Sequence, residues 1–233
     1  MVNNHMKRMA APRSWPVERK LTTYITKARP GAHSYKFGMP LNVVIKELLK
    51  LANTSREVRE IIKTGIFIDG KKVIDERSII GFMDVLSFTN SKDAYRILLN
   101  DKGFITAVKI DPFESKIKLS KVIGKSLVKG KTQLNLIDGR NILVDKTGYK
   151  TGDVLLLEIP GQKITEKISL EKGSKIYLMG GKHIGEIHTA ETINGEKISL
   201  RSKDGSVFET LRKYAFAVGK DKIVLSSVEK LSK

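Results

Sequence analysis

Four tight-turn dipeptides constrain this chain more than any other feature. Asp69-Gly70, Asp138-Gly139, Asn194-Gly195 and Asp204-Gly205 punctuate short runs rich in Ile, Val and Leu. Such pairs supply the positive φ that a two-residue hairpin demands. "GIFIDGKKVI" shows the pattern: Ile66 and Ile68 alternate with Phe67, Asp69-Gly70 turns the chain, and Lys71 and Lys72 follow directly. "DVLSF", "AYRILL", "QLNLI", "NILV", "DVLLLEI", "KIYLM" and "KISLR" have strand length and β-rich composition. Pro160-Gly161, in the stretch from Glu158 to Lys167, reads as one more turn between strands. These runs predict small α+β and β-barrel-like modules in series.

One segment breaks the β pattern. Leu41, Val44, Ile45, Leu48, Leu49 and Ala52 recur at helical spacing and predict one buried helix face, with Pro40 in its first turn. "TSRE", Thr54 to Glu57, reads as a capping box that starts a second helix. Val58, Ile61 and Ile62 line its core side, and Gly65 ends it as a left-handed cap. Arg56, Arg59 and Lys63, three and four apart, make one basic stripe. With Glu57 and Glu60 close by, the stripe is either a solvated charged face or a binding face.

Charge restricts the partner. The 233 residues hold 43 Lys plus Arg against 25 Asp plus Glu, a net charge of +18. That balance points to a polyanion, nucleic acid before membrane, since no basic amphipathic helix supports a membrane surface. The charge is spread over the whole length, as suits a protein lying along a phosphate backbone rather than an enzyme holding one small anion. No apolar run is long enough to span a bilayer, and the basic start lacks the apolar core of a secretory signal. The absence of cysteine excludes disulfides, thiolate metal sites and cysteine nucleophiles, and fits a reducing compartment.

The cationic density is greatest in residues 1–39, which show no sustained apolar period and carry Pro12, Pro16 and Pro30. They read either as a disordered tail or transit peptide, or as an arm that orders on RNA. In the second reading Lys7, Arg8, Arg13 and Arg19 neutralise phosphates, while Trp15 and Tyr24 stack on bases or sugars.

"LMGGKHIGEIH", Leu178 to His188, is the stretch most like an enzyme site. It lacks the Gly-x-x-x-x-Gly-Lys-Ser/Thr order, and no helix start follows it, so a nucleotide loop is excluded. His183 and His188 are five apart, an odd offset that in an extended strand puts them on opposite faces, so no metal site is expected. The stretch reads as a loop between two strands with Lys182 and His183 at its tip, touching RNA, and with Gly185 admitting a close backbone approach. No Gly-x-Ser-x-Gly occurs, and Asp84 reads as a turn aspartate that accepts from backbone N–H groups.

The N-terminal residues "HMKRMAAPRSW" followed by "PVER" resemble the signature of the S-four-e family of small-subunit ribosomal proteins of archaea and eukaryotes. His5, Lys7, Arg8, Met9, Ala10, Pro12, Trp15, Val17 and Arg19 carry that resemblance, and "GFMDVLSF" (Gly81 to Phe88) adds to it. Pro40 to Phe88 is similar to the S-four-type RNA-binding domain, through Ser55-Arg56 and Gly65 to Gly70. By that resemblance Arg56, Arg59, Lys63, Lys71 and Lys72 face RNA. Lys172 to Arg201 looks like a KOW motif, with Gly185 at the family's glycine position.

The resemblance implies a multi-module α+β fold. Its parts are a basic N-terminal arm (1–39), a two-helix plus β-hairpin RNA-binding module (40–92), a central β-rich domain (93–170), and a KOW-type SH3-like β-barrel with a C-terminal tail (171–233). It implies a non-enzymatic structural constituent of the cytoplasmic small ribosomal subunit, present once per subunit. Its partners would be small-subunit rRNA and neighbouring ribosomal proteins, with no cofactor, metal, membrane or small-molecule substrate. The alternative is an RNA-binding or RNA-modifying factor outside the ribosome, since S-four-type domains also dock such enzymes onto RNA. Residues 91–170 show no catalytic constellation for that role.

Overall fold

The structure is a computed structural model that describes residues 5–91, 93–145, 148–202, 205–220 and 223–231. It is a mixed α/β, strand-rich fold with few helices. Its contacts form two units: Met1–Leu98 with Phe104–Ser115, and Leu99–Gly103 with Lys116–Lys233.

The first unit opens with β1 (Met6–Lys7) paired antiparallel to β2 (Tyr24–Ile25). Next comes β3 (Gly38–Pro40), then α1 (Leu41–Val43), which continues as a π-helical turn over Val44–Leu48. There the bond runs from Leu49 N–H to the Val44 carbonyl, at 2.9 Å. The wider π turn rotates later residues away from the α-helical face. Leu41, Val44, Ile45 and Ala52 are buried as expected, but Leu48 and Leu49 are only half-buried. α2 (Ser55–Gly65) starts where the capping box predicts, and the Thr54 side chain accepts from Glu57 N–H. Glu57 in turn accepts from the backbone N–H of Asn53 and the Thr54 hydroxyl, both at 2.8 Å, and these bonds hold its carboxyl below the usual range.

β4 (Ile66–Ile68) and β5 (Lys71–Val73) form the predicted hairpin. Asp69 and Gly70 both take positive φ, 50° and 71°, as a type I′ turn requires. β6 (Ile79–Gly81) pairs with β3. β7 (Val85–Phe88), β8 (Ala94–Leu99) and β9 (Ile105–Ile110) complete a sheet in the order β5-β4-β7-β8-β9. Val58, Ile62, Ile66, Ile80, Phe82, Met83, Leu86, Ile97 and Leu98 are buried within this unit.

The second unit holds two five-stranded antiparallel sheets. In the first, β10 (Ile117–Val128), β11 (Lys131–Leu136), β12 (Asn141–Val144), β13 (Val154–Glu158) and β14 (Lys163–Ile168) lie in the order β12-β11-β10-β13-β14. Val122, Leu134, Leu136, Leu155 and Leu157 make its core. β13 is buried from Val154 to Leu157, which explains why its sequence is continuously apolar rather than alternating.

The second sheet holds β15 (Lys175–Leu178), β16 (Ile187–Asn194), β17 (Lys197–Arg201), β18 (Val207–Leu211) and β19 (Ala215–Gly219). It is a meander in which β19 returns to pair with β15, in the order β18-β17-β16-β15-β19. α3 (Ser226–Leu231) follows. Gly139 and Gly195 have positive φ at the predicted hairpin turns. Asp204, from the fourth predicted turn, lies outside the described residues. Among the described residues no helix is long and apolar enough to cross a membrane.

Candidate nucleic-acid interface

On α2 the basic stripe has the geometry its spacing predicts. At about 100° per residue, Arg56, Arg59 and Lys63 fall within a sector of about 60°, centred about 110° round the helix from the buried Val58 and Ile62. With Val58 and Ile62 packed inward, all three cations remain exposed to solvent. Arg56 makes no ion pair among the described residues. Arg59 is held by Glu76 (2.9 Å), and Lys63 by Glu60 (2.9 Å). The Lys63–Glu60 pair is solvent-exposed, so a phosphate can compete for Lys63 at small cost, whereas Glu76 is 17% exposed and grips the exposed Arg59 through both Nε and Nη2. Lys71 and Lys72 are exposed on edge strand β5, directly after the Asp69-Gly70 turn. Lys182 is exposed at the tip of the β15–β16 loop.

The N-terminal residues divide. Lys7 and Arg13 are exposed. Arg8, Trp15 and Arg19, expected to face RNA, are used internally instead. Trp15 is 1% exposed, and its indole N–H donates to the carbonyls of Tyr35 (3.1 Å) and Gly38 (2.9 Å). A buried tryptophan with its one donor satisfied has no face left to stack on a base. Arg8 is buried, paired with Glu47 at 2.8 Å and bonded to the Glu18 carbonyl. Arg19 donates to the carbonyls of Met9 (3.2 Å), Ala11 (2.7 Å) and Pro12 (2.9 Å), which clamps an irregular turn. These residues form a packed layer of the first unit, which corrects the expectation of an arm that orders only on RNA. The layer has no apolar period because it has almost no regular secondary structure. Its order comes from Trp15 and from arginines that satisfy loop carbonyls. Tyr24 stays 55% exposed, edge-on to His5.

His183 lies in the expected loop, but the strand parity that separated it from His188 fails. Residues 179–186 are a loop and not a strand, so strand parity does not apply to them. His183 Nδ1 lies 3.0 Å from Glu186 Oε2, and His188 Nε2, on β16, lies 2.9 Å from the same oxygen. Asp84 behaves as the turn reading expects. Its Oδ2 accepts from Gly81 N–H at 2.8 Å, and it also lies 2.9 Å from His33 Nε2.

Three buried cations have no sequence signal beyond their place inside strands. Arg96, on β8, is fully buried against Glu114 and donates to that residue's carbonyl at 2.9 Å. Burial lowers its pKa, and the carboxylates of Glu114, Asp69 and Asp84 oppose that shift. Lys118 and Asp138 form a buried ion pair at 3.0 Å. Lys121 Nζ donates to the carbonyls of Arg212 (3.1 Å), Lys213 (3.1 Å) and Ala215 (2.6 Å). Burial, aided by the Arg212 guanidinium, pulls its pKa down to about 8. The β10–β11 hairpin also offers an exposed cation, Lys129, in a Lys129-Gly130 turn where both residues take positive φ (50° and 79°). Only the neighbouring "KGK" hints at that turn, because lysine is not a usual residue there.

Comparison with known proteins gives a consistent result. Residues 91–164 match the family described as Ribosomal family S4e, and residues 2–36 match the RS4NT (NUC023) domain. The small ribosomal subunit protein eS4 of Methanosphaera stadtmanae is 41% identical over 96% of this chain and 95% of its own length. That of Methanothermobacter thermautotrophicus is 38% identical, covering 95% of each chain. The crystal structure of the 30S ribosomal protein S4e from Thermoplasma acidophilum superposes with a TM-score of 0.69. It is 30% identical and covers 80% of this chain and 97% of that one.

Proposed function

The chain belongs to the ribosomal S4e family and is a structural constituent of the small ribosomal subunit, and from that premise we propose how it holds rRNA. The outward cations Lys7, Arg13, Arg56, Arg59, Lys63, Lys71, Lys72 and Lys182 replace condensed counterions on rRNA phosphates. Arg8, Trp15 and Arg19 act at one remove, by fixing the backbone from which Lys7 and Arg13 project. The carrying observation is the α2 face, where three cations stay exposed beside a buried apolar side on a chain of net charge +18.

The finer architecture belongs to the same proposal. Pro40 to Phe88 is the S-four-type RNA-binding module, and residues 171–233 hold a KOW-type SH3-like barrel with a tail. The meander order, with β19 returned to β15, supports the barrel. Neighbouring ribosomal proteins are its other partners, in one copy per cytoplasmic subunit. Binding is mechanical and electrostatic, without catalysis.

The test is the salt dependence of binding to small-subunit rRNA. Arg56→Gln with Lys63→Gln should make the plot of log affinity against log salt shallower, by about 0.7–0.9 for each phosphate that is no longer neutralised. The far-UV CD melt should not change. An unaltered slope with a folded protein would remove α2 from the interface.

A further inference from the structure

Around Glu186 the β15–β16 connection gathers three groups that are not among the cations proposed above to hold rRNA phosphates. His183, Glu186 and His188 each present one ligand atom, and all of these atoms lie within 4.8 Å of one another. The rings converge on a single carboxylate oxygen, His183 through Nδ1 at 3.0 Å and His188 through Nε2 at 2.9 Å. Tetrahedral ligands around an ion with bonds of about 2.1 Å stand about 3.4 Å apart, so both rings, now at hydrogen-bond distance from the carboxylate, would move out by about 0.4–0.5 Å to admit the ion.

The groups are held in place before any ion arrives. Phe208 stacks on the His183 ring at 4.3 Å and meets the His188 ring edge-on at 4.8 Å, so one aromatic side chain braces both imidazoles. His188 is fixed on β16 with 3% of its side chain exposed. The loop ahead of Glu186 is pinned by Gly185 N–H to the Leu178 carbonyl (2.8 Å) and by Leu178 N–H to the Glu186 carbonyl (3.0 Å). Solvent still reaches the cluster, because the side chains of His183 and Glu186 are 33% and 44% exposed. An ion there would keep open positions for water.

We infer that His183, Glu186 and His188 form a binding site for one divalent transition-metal ion of the zinc class. Two imidazoles and one carboxylate suit zinc, nickel or cobalt rather than magnesium or calcium, which take oxygen ligands. The ion clasps the loop to β16. Because it binds the folded state, it raises the stability of the second unit by mass action.

The test titrates zinc chloride calorimetrically into the full, untagged chain without RNA, so its outcome is independent of the ribosomal reading. Saturable binding of one zinc per chain is expected, with a rise in Tm. Cobalt chloride should give visible ligand-field absorption at the same stoichiometry. Glu186→Gln, which preserves shape, and His183→Ala, at a partly exposed position, should each weaken zinc binding about tenfold or more. Neither should change the far-UV CD spectrum. Absence of saturable binding would overturn the proposal and leave a simple His-carboxylate cluster. Undiminished affinity in both variants would also overturn it, since the ion would then sit elsewhere, for instance at His5 or His33.

Discussion

Lys121 carries the clearest pH signature of any single residue. Its folded pKa of about 8 lies below its ordinary value of 10.5. Below pH 8 both folded and unfolded states are protonated, and the burial penalty is fully present. Between about pH 8 and 10.5 the unfolded chain binds more protons, so this group's contribution to stability rises with pH. Tyr177 acts in the opposite sense higher up. Its burial raises its pKa, so its contribution falls once the unfolded tyrosine ionises near pH 10. Urea melts at pH 7.5 and 9.5 should therefore show wild type gaining stability relative to Lys121→Met over that interval. A difference independent of pH would mean that the three carbonyls keep Lys121 protonated throughout. None of this is visible in "LSKVIGK", where Lys121 looks like any other lysine of an alternating strand. Its partners stand about ninety residues away in the chain.

At the scale of elements, local chemistry determined much. Thr54 caps α2, Gly65 closes it, and Asp69-Gly70 turns the first hairpin, because each device acts within a few residues of itself. The β15–β16 connection shows where local reading stops. Gly185 does admit a close backbone approach: a Cβ there would meet the Asn100 carbonyl oxygen at 2.3 Å, on a backbone with φ of 82°. Gly185→Ala should therefore cost about 2–4 kcal/mol, combining overpacking with the left-handed backbone penalty. A Tm equal to wild type would show that Asn100 can retreat. In the same loop His183 escapes strand parity with His188 on β16, because a rule for extended strands fails where the chain leaves the strand. In the π-helical turn the departure is smaller. The apolar period is real, but its last turn is wound more widely than an α-helical one.

For the whole molecule, the position of residues 5–40 matters most. As a free arm they could be removed at the cost of rRNA affinity alone. Trp15 and Arg8 lie inside the first unit, so deletion of residues 1–35 should lower its Tm as well as weaken binding. Lys7→Gln with Arg13→Gln should reduce the salt slope without lowering Tm, since both side chains are exposed. If the truncated chain melted like wild type, the packed layer would contribute nothing to the first unit. By itself the sequence determined the strand-rich class, the turn positions, the helix caps, the polyanionic partner and the family. Charge, turn chemistry and capping are read from neighbours in the chain. Only the tertiary structure decided which cations face outward, that Trp15 and Arg8 are core, that Arg96 and Lys118 are buried with carboxylates, and that two histidines share one glutamate. Those outcomes depend on groups brought together by packing, and burial reverses what a polar side chain does once it is paired.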